Sequence, residues 1–246
     1  MNAFVKFTNQ SQGRDRVFRA TQYACALARY LLQDDIRRKV LVQKLQSLES
    51  NMSSGRKLFR LGNTVSSIDA ARRTFHLTDP VLRFCLTISN LTRALYFICD
   101  NVLWAQSISL IRDVDKERWS RNATRYYFLS LVMNLIQDAY TISKLMVQKS
   151  REERYRRKLD DHLNESQETA TVIIPQLDAF LFLSIESLRS HPALVLDVLK
   201  NTCDLFIPLD KLGVYRTNEG VTGLCGLLSS LLGILLVLKP GLKNKP

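Results

Sequence analysis

Few residues in this 246-residue chain have the types and spacing that reaction chemistry needs. The three histidines, His76, His162 and His191, lie far apart and none has a second ligand at metal spacing. His162 sits beside Asp160, Asp161 and Glu165, but in a run of mixed charge where a solvated face is the simpler account. The five cysteines (Cys25, Cys85, Cys99, Cys203 and Cys225) show no CxxC spacing, and several fall at apolar helix positions, as reduced, buried thiols do. Gly223, Gly226, Ser230 and Gly233 invite comparison with a phosphate loop. No strand precedes them, however, and a helix would bury their amides. A nucleophile elbow and a convincing carboxylate pair are also missing, so the expectation is a non-enzyme without metal or cofactor. What remains is the physical chemistry of helices meeting lipid and each other.

The element that would organise such contacts is Gly220 to Leu238, nineteen consecutive uncharged residues. As a helix it reaches about 28 Å, close to the roughly 30 Å of bilayer hydrocarbon. Glu219 closes one end, and Lys239, Lys243 and Lys245 follow the other with Pro240 as a stop. A membrane span is the expected reading and a buried core helix its competitor. Gly223, Gly226, Ser230 and Gly233 share one side of this helix and form a face along which another helix can approach closely.

The net charge is +12 and is concentrated toward the N-terminus, where residues 1–80 hold 14 Lys and Arg against 6 Asp and Glu. Such a region could meet nucleic acid or an anionic membrane; with a span in the same chain, the membrane is the expected partner and nucleic acid is not. The N-terminus does not read as a signal peptide, because Lys6 and the polar TNQSQ run break any apolar core. Gln12 to Leu32 forms an amphipathic helix with Val17, Ala20, Ala24, Leu27 and Leu31 on one side. A second begins at Asp34, and its apolar stripe of Leu41, Leu45, Leu48 and Met52 is edged by Arg37, Lys44 and Arg38. After Ser53-Ser54-Gly55 the pattern resumes, adding Phe59 to the stripe and Arg56, Lys57 and Arg60 to the basic set, until Gly62-Asn63 end it. A stripe rimmed with cations suits a helix lying in the membrane interface, where one-sided insertion favours curvature. An ordinary surface helix with solvated charges carries the same pattern.

Val81 to Ile111 is a second apolar stretch of spanning length, weakened by Arg83, Arg93 and Asp100. Each charge at mid-bilayer costs about 2.5 to 3.5 kcal/mol on insertion scales. Ser89, Arg93, Tyr96 and Asp100 fall on one polar stripe, which must face protein or water if the segment spans; otherwise the segment lies against a bundle or in the interface. Beyond it come a charged connection, an apolar helix from Tyr126 to Val147, and a mixed-charge run at 149–168 read as a solvated helix end and linker. A helical pair, Leu177 to Leu188 and Pro192 to Phe206, is broken at Ser190-His191-Pro192.

The fold class is therefore all-α: a membrane-associated bundle of amphipathic helices with a C-terminal transmembrane helix and a second, polar-striped membrane helix. The expected organisation is a basic region at 1–80, the first membrane helix at 81–111, a helical region at 112–219 with its charged linker, the C-terminal span at 220–238, and a short basic tail at 239–246.

Several blocks resemble the peroxin-eleven family of peroxisomal membrane proteins, and its alpha form in particular. They are NQSQGRDRVFRATQYACALARYLL (Asn9 to Leu32), SSGRKLFRLGN (Ser53 to Asn63), YFICDNVLW (Tyr96 to Trp104), SLRSHPALVLDVLKNTCDLFIPLDKLGVY (Ser187 to Tyr215) and the glycine-striped terminus. The resemblance implies an integral peroxisomal membrane protein with both ends in the cytosol. It implies self-association and pairing with related family members, elongation of the membrane before fission, a fission adaptor and a dynamin-type GTPase as partners, and delivery by a peroxisomal membrane-protein import receptor. The family's membrane-remodelling helix falls here on Leu41 to Arg60, and its first span near Phe84 to Ala105. Some alpha forms end in a coat-protein motif with lysines third and fifth from the end. Here Lys245 and Lys243 are second and fourth, so the resemblance supplies no matching motif for coatomer. A metabolite channel of the peroxisomal membrane is the alternative function, motivated by the stripe through Arg93 and Asp100.

Overall fold

A computed structural model describes residues 2–163 and 191–238, and every described element is helical. A short α1 (Asn2–Asn9) turns at Gln10 into α2 (Ser11–Leu32). The turn is tight enough to require Gly13, where a Cβ would lie 2.0 Å from the Phe7 carbonyl oxygen. A 3-10 turn (Ile36–Arg38), capped by the Asp35 carboxylate accepting from the Arg37 amide, leads into α3 (Lys39–Phe59). The helix runs unbroken through Ser53-Ser54-Gly55, and Gly55 lies against the Phe18 ring of α2. The helix ends at Phe59, close to the expected stop, and after a turn over residues 60–62 Gly62 caps the start of α4 (Asn63–Phe75), a helix that sequence pattern alone did not separate.

The start of α5 (Pro80–Ser107) follows from local chemistry. Asp79 accepts hydrogen bonds from the Val81 and Leu82 amides, and Pro80, which has no amide to satisfy, takes the first helical position. The helix stops at Ser107, leaving Ile108 to Ile111 in the turn that follows. The 48-residue α6 (Lys116–Leu163) begins with Glu117 in its first turn and carries the mixed-charge run from Lys149 to Leu163 as helix. The rest of that run, the Leu177 to Leu188 segment and the lysine tail at 239–246 lie outside the described residues. Next, α7 (Pro192–Lys211) opens on a proline as the sequence suggests, but continues past the expected end at Phe206 and through Pro208. Last is α8 (Glu219–Leu238).

The packing order differs from the chain order. On one side α2 lies between α3 and α8; α7 then bridges α8 to α6, α6 pairs with α5, and α5 carries α4. A lighter contact of α3 with α5 brings the two ends of this row together. The all-α class is as expected, and α5 and α8 are the two described helices long and apolar enough to cross a membrane.

Burial is shared between polar and apolar side chains. Buried positions include Arg19, Arg56, Ser89, Asp100, Asp138, Asn201, Asp204, Ser229 and Ser230, while buried apolar residues are mainly small: Cys25, Ala71, Cys85, Ala94, Cys99, Ala105 and Ala123. Although Phe7, Leu131, Met146, Leu194, Ile207 and Leu236 are buried, many large apolar side chains point outward. On α8 these are Leu224, Leu228, Leu231, Leu235 and Leu238, with Leu231 51% exposed; on α5 they are Phe84, Leu91, Leu95 and Ile98, with Phe84 60% exposed. Cysteine, alanine, serine and buried polar side chains therefore supply much of the close packing between helices.

Candidate membrane interface

The glycine face of α8 is occupied by α2 of the same chain. Added Cβ atoms at Gly220 and Gly226 would lie 2.5 and 2.4 Å from the rings of Tyr30 and Tyr23. One at Gly223 would lie 3.2 Å from the Leu27 backbone nitrogen, and one at Gly233 would lie 3.0 Å from the Arg16 guanidinium. The two helices are thus antiparallel and closely apposed. Ser230 donates to the Gly226 carbonyl oxygen at 2.6 Å, satisfying its hydroxyl within α8.

Deeper in this contact, the buried Arg19 guanidinium of α2 is paired with the Asp204 carboxylate of α7, which also accepts from the Ser229 hydroxyl of α8. Burial works against the charge on Arg19, but Asp204 overcomes it and raises the guanidinium above its ordinary range. Burial likewise pushes the Asp204 carboxyl up, and Arg19 with the Ser229 hydroxyl outweighs it, so Asp204 titrates below its ordinary value. Three helices meet at one ion pair. Sequence reasoning missed both residues; a lone carboxylate within the apolar TCDLFI run is the one signal that could have pointed to the pairing.

A second buried network ties α2, α3 and α5 together. Asp15 accepts from Arg56 Nε at 3.2 Å and Arg60 Nε at 2.9 Å. Arg60 Nη1 donates to the Tyr96 hydroxyl at 2.6 Å and to Asp100 at 3.4 Å, and Arg56 donates to Gln22 Oε1 at 2.6 Å. Burial drives the Arg56 guanidinium down to about 10, with the charge of Arg60 acting in the same direction. Arg60 moves the other way: burial opposes its charge, but Tyr96, Asp15 and Asp100 more than compensate. The GRKLFRLGN block therefore acts partly as an internal clamp.

The residues assigned from sequence to the remodelling helix divide into two groups. Arg37, Arg38, Leu41, Lys44 and Leu48 are exposed. Leu45, Met52, Lys57 and Phe59 are half-buried, with Phe59 edge-on to Phe18 of α2 at 5.0 Å between ring centroids. Arg56 and Arg60 are held inside the clamp. The outward set forms a surface of two leucines rimmed by three cations, with Val40 beside them.

The polar stripe of α5 faces protein. Ser89 donates to Asn134 Oδ1 at 2.6 Å and to the Ser130 carbonyl oxygen at 3.2 Å, both on α6. Tyr96 and Asp100 meet Arg60, the Tyr96 ring also lies 5.3 Å from that of Tyr127, and Arg93 is half-buried between them on the same side. Asp79 locks the end of the α5–α6 pair, accepting from Tyr140 at 3.1 Å and Lys144 at 3.0 Å. Among the described residues no cluster of three His, Cys, Asp or Glu side chains could hold a metal.

Comparison with known proteins bears on the same residues. Residues 1–238 match the family described as Peroxisomal biogenesis factor 11 (PEX11). Peroxisomal membrane protein 11A of Homo sapiens is 47% identical over 247 residues, covering 100% of this chain and 99% of that protein. Peroxisomal membrane protein 11B of Homo sapiens is 47% identical over 259 residues, covering both chains fully. A Dictyostelium discoideum protein, Peroxisomal membrane protein 11 homolog, is 24% identical over 245 residues, covering 95% of this chain and 92% of that one. No solved structure matches. Likeness running from the N-terminal helices through the clamp to the glycine-faced helix leaves one assignment: the chain belongs to the Peroxisomal biogenesis factor 11 family.

Proposed function

We propose that this chain is an integral protein of the peroxisomal membrane, with both termini in the cytosol, that elongates the membrane and so promotes peroxisome proliferation and division. The observation that carries the reading is the pair of outward apolar rows on α5 and α8, set over buried charges and hydroxyls. Hydrocarbon around α8 anchors the molecule, and α3 offers Leu41 and Leu48 with Arg37, Arg38 and Lys44 to one leaflet. Inserting those leucines beneath anionic headgroups expands that leaflet and favours curvature, with no covalent reaction. Self-association, pairing with related family members, an import receptor, a fission adaptor and a dynamin-type GTPase belong to the same proposal.

The test uses full-length protein reconstituted in anionic vesicles. Replacing both Leu41 and Leu48 with Glu should abolish tubulation without lowering the unfolding temperature, since neither side chain is buried. Tubulation that survives the double change overturns the proposed role of α3. A metabolite channel is the second reading, favoured by the polar residues turned inward from α5; against it, Arg60 already satisfies Tyr96 and Asp100.

A further inference from the structure

Between α2, α3 and α8 runs an open groove of about 470 Å³. Its floor is the α2 ridge Ala20, Ala24 and Ala28, with Thr21 and Cys25 beside it, and its walls are Leu45 of α3 and Leu227 of α8. The volume falls within the roughly 300 to 1,000 Å³ of ligand clefts. Ala20 and Ala24 belong to the apolar side of α2 legible in sequence; Ala24 is exposed, and Ala20, Thr21 and Ala28 are half-buried.

We propose that this groove seats an acyl chain of a bilayer phospholipid. The inference rests on the membrane reading above, and three observations direct it to that ligand. Leu227 stands eight residues from Glu219 in α8, about 12 Å along the helix axis. If α8 spans, the Leu227 end of the groove therefore lies at hydrocarbon depth, while the Ala28 end lies beside Arg29, which pairs with Glu219 at the start of α8. Around α8, Leu227 lies between the glycine face held by α2 and the outward row of Leu224, Leu231 and Leu238, so the groove is continuous with the lipid-facing surface. Finally, the lining is apolar apart from the Thr21 hydroxyl and Cys25 thiol, and the small side chains on its floor make a shallow, open depression that an acyl chain can lie along. The seated chain touches the anchor, α2 and the α3 helix at once, so it would couple lipid packing to the position of the curvature-inducing helix.

Native mass spectrometry of the full-length protein, released from phosphatidylcholine and phosphatidylserine vesicles through mild detergent, tests this. The expected result is one phospholipid retained per chain. Ala24→Phe should reduce retention about tenfold, the effect of displacing about two methylenes, while Ala24→Ser should retain the lipid. Flotation of each variant with vesicles after carbonate extraction is read in parallel. Protein that floats but carries no phospholipid, carries only a free fatty acid, or pairs with a second copy through the Ala24 face overturns the groove assignment alone. Protein released by carbonate overturns the membrane reading beneath it.

Discussion

At the scale of single residues, the most consequential group is Arg19. Its partner, Asp204, lies 185 positions away, and both side chains are buried. A buried ion pair is weak evidence for stability in itself, but breaking one leaves a charge stranded. Arg19→Ala should therefore lower the unfolding free energy by about 3 to 5 kcal/mol, whereas the double replacement Arg19→Met with Asp204→Leu should recover most of the loss. Thermal unfolding of the detergent-solubilised full chain measures both. Equal damage from the single and double changes would mean that the pair does more than neutralise its own charges. The sequence displays both residues but not the pairing, because charge signs cannot join positions so far apart.

At the scale of elements, the contact between α2 and α8 depends on absent side chains. Gly226 has the Tyr23 ring where a Cβ would stand, and the ring body is not a flexible end that can swing aside. Gly226→Ala gains about 1 kcal/mol of helix propensity and loses about 1 to 3 kcal/mol to overpacking, so the net change should be destabilising. Gly62→Ala meets nothing within 4 Å and should be neutral or slightly stabilising. Unfolding temperatures of the two variants give the comparison; equal values would argue against close helix apposition. The small-residue face was plain in the sequence because three- and four-residue spacing places it on one side of any helix. Its occupant was not, since that spacing fits a second molecule as well as α2.

At the scale of the whole molecule, pH should act through the α6–α7 junction. Asp138 of α6 is 4% exposed, and burial raises its carboxyl to about 6 against the ordinary 3.8. The Asn201 amide, donating at 2.9 Å, and Lys200 partly offset this, while Asp197 adds to it. An acid whose folded value is raised stabilises the fold while protonated, so its contribution is present below about pH 4 and lost as pH rises through about 6. Wild type should therefore lose stability relative to Asp138→Asn between about pH 4.5 and 7, as unfolding temperatures at the two values would record. A constant difference between the two proteins across that window would remove Asp138 as the titrating group. Composition and periodicity alone determined the all-α class, the C-terminal apolar helix, the polar stripe on α5 and the basic amphipathic character of the N-terminal third, because each depends only on spacing along one helix. Only tertiary structure decided that Arg56 and Arg60 turn inward to Asp15 and Asp100, that α2 fills the glycine face, and that the apolar ridge of α2 is left open beside Leu227. Those outcomes depend on which helices become neighbours, and a helix presents the same faces whatever packs against them.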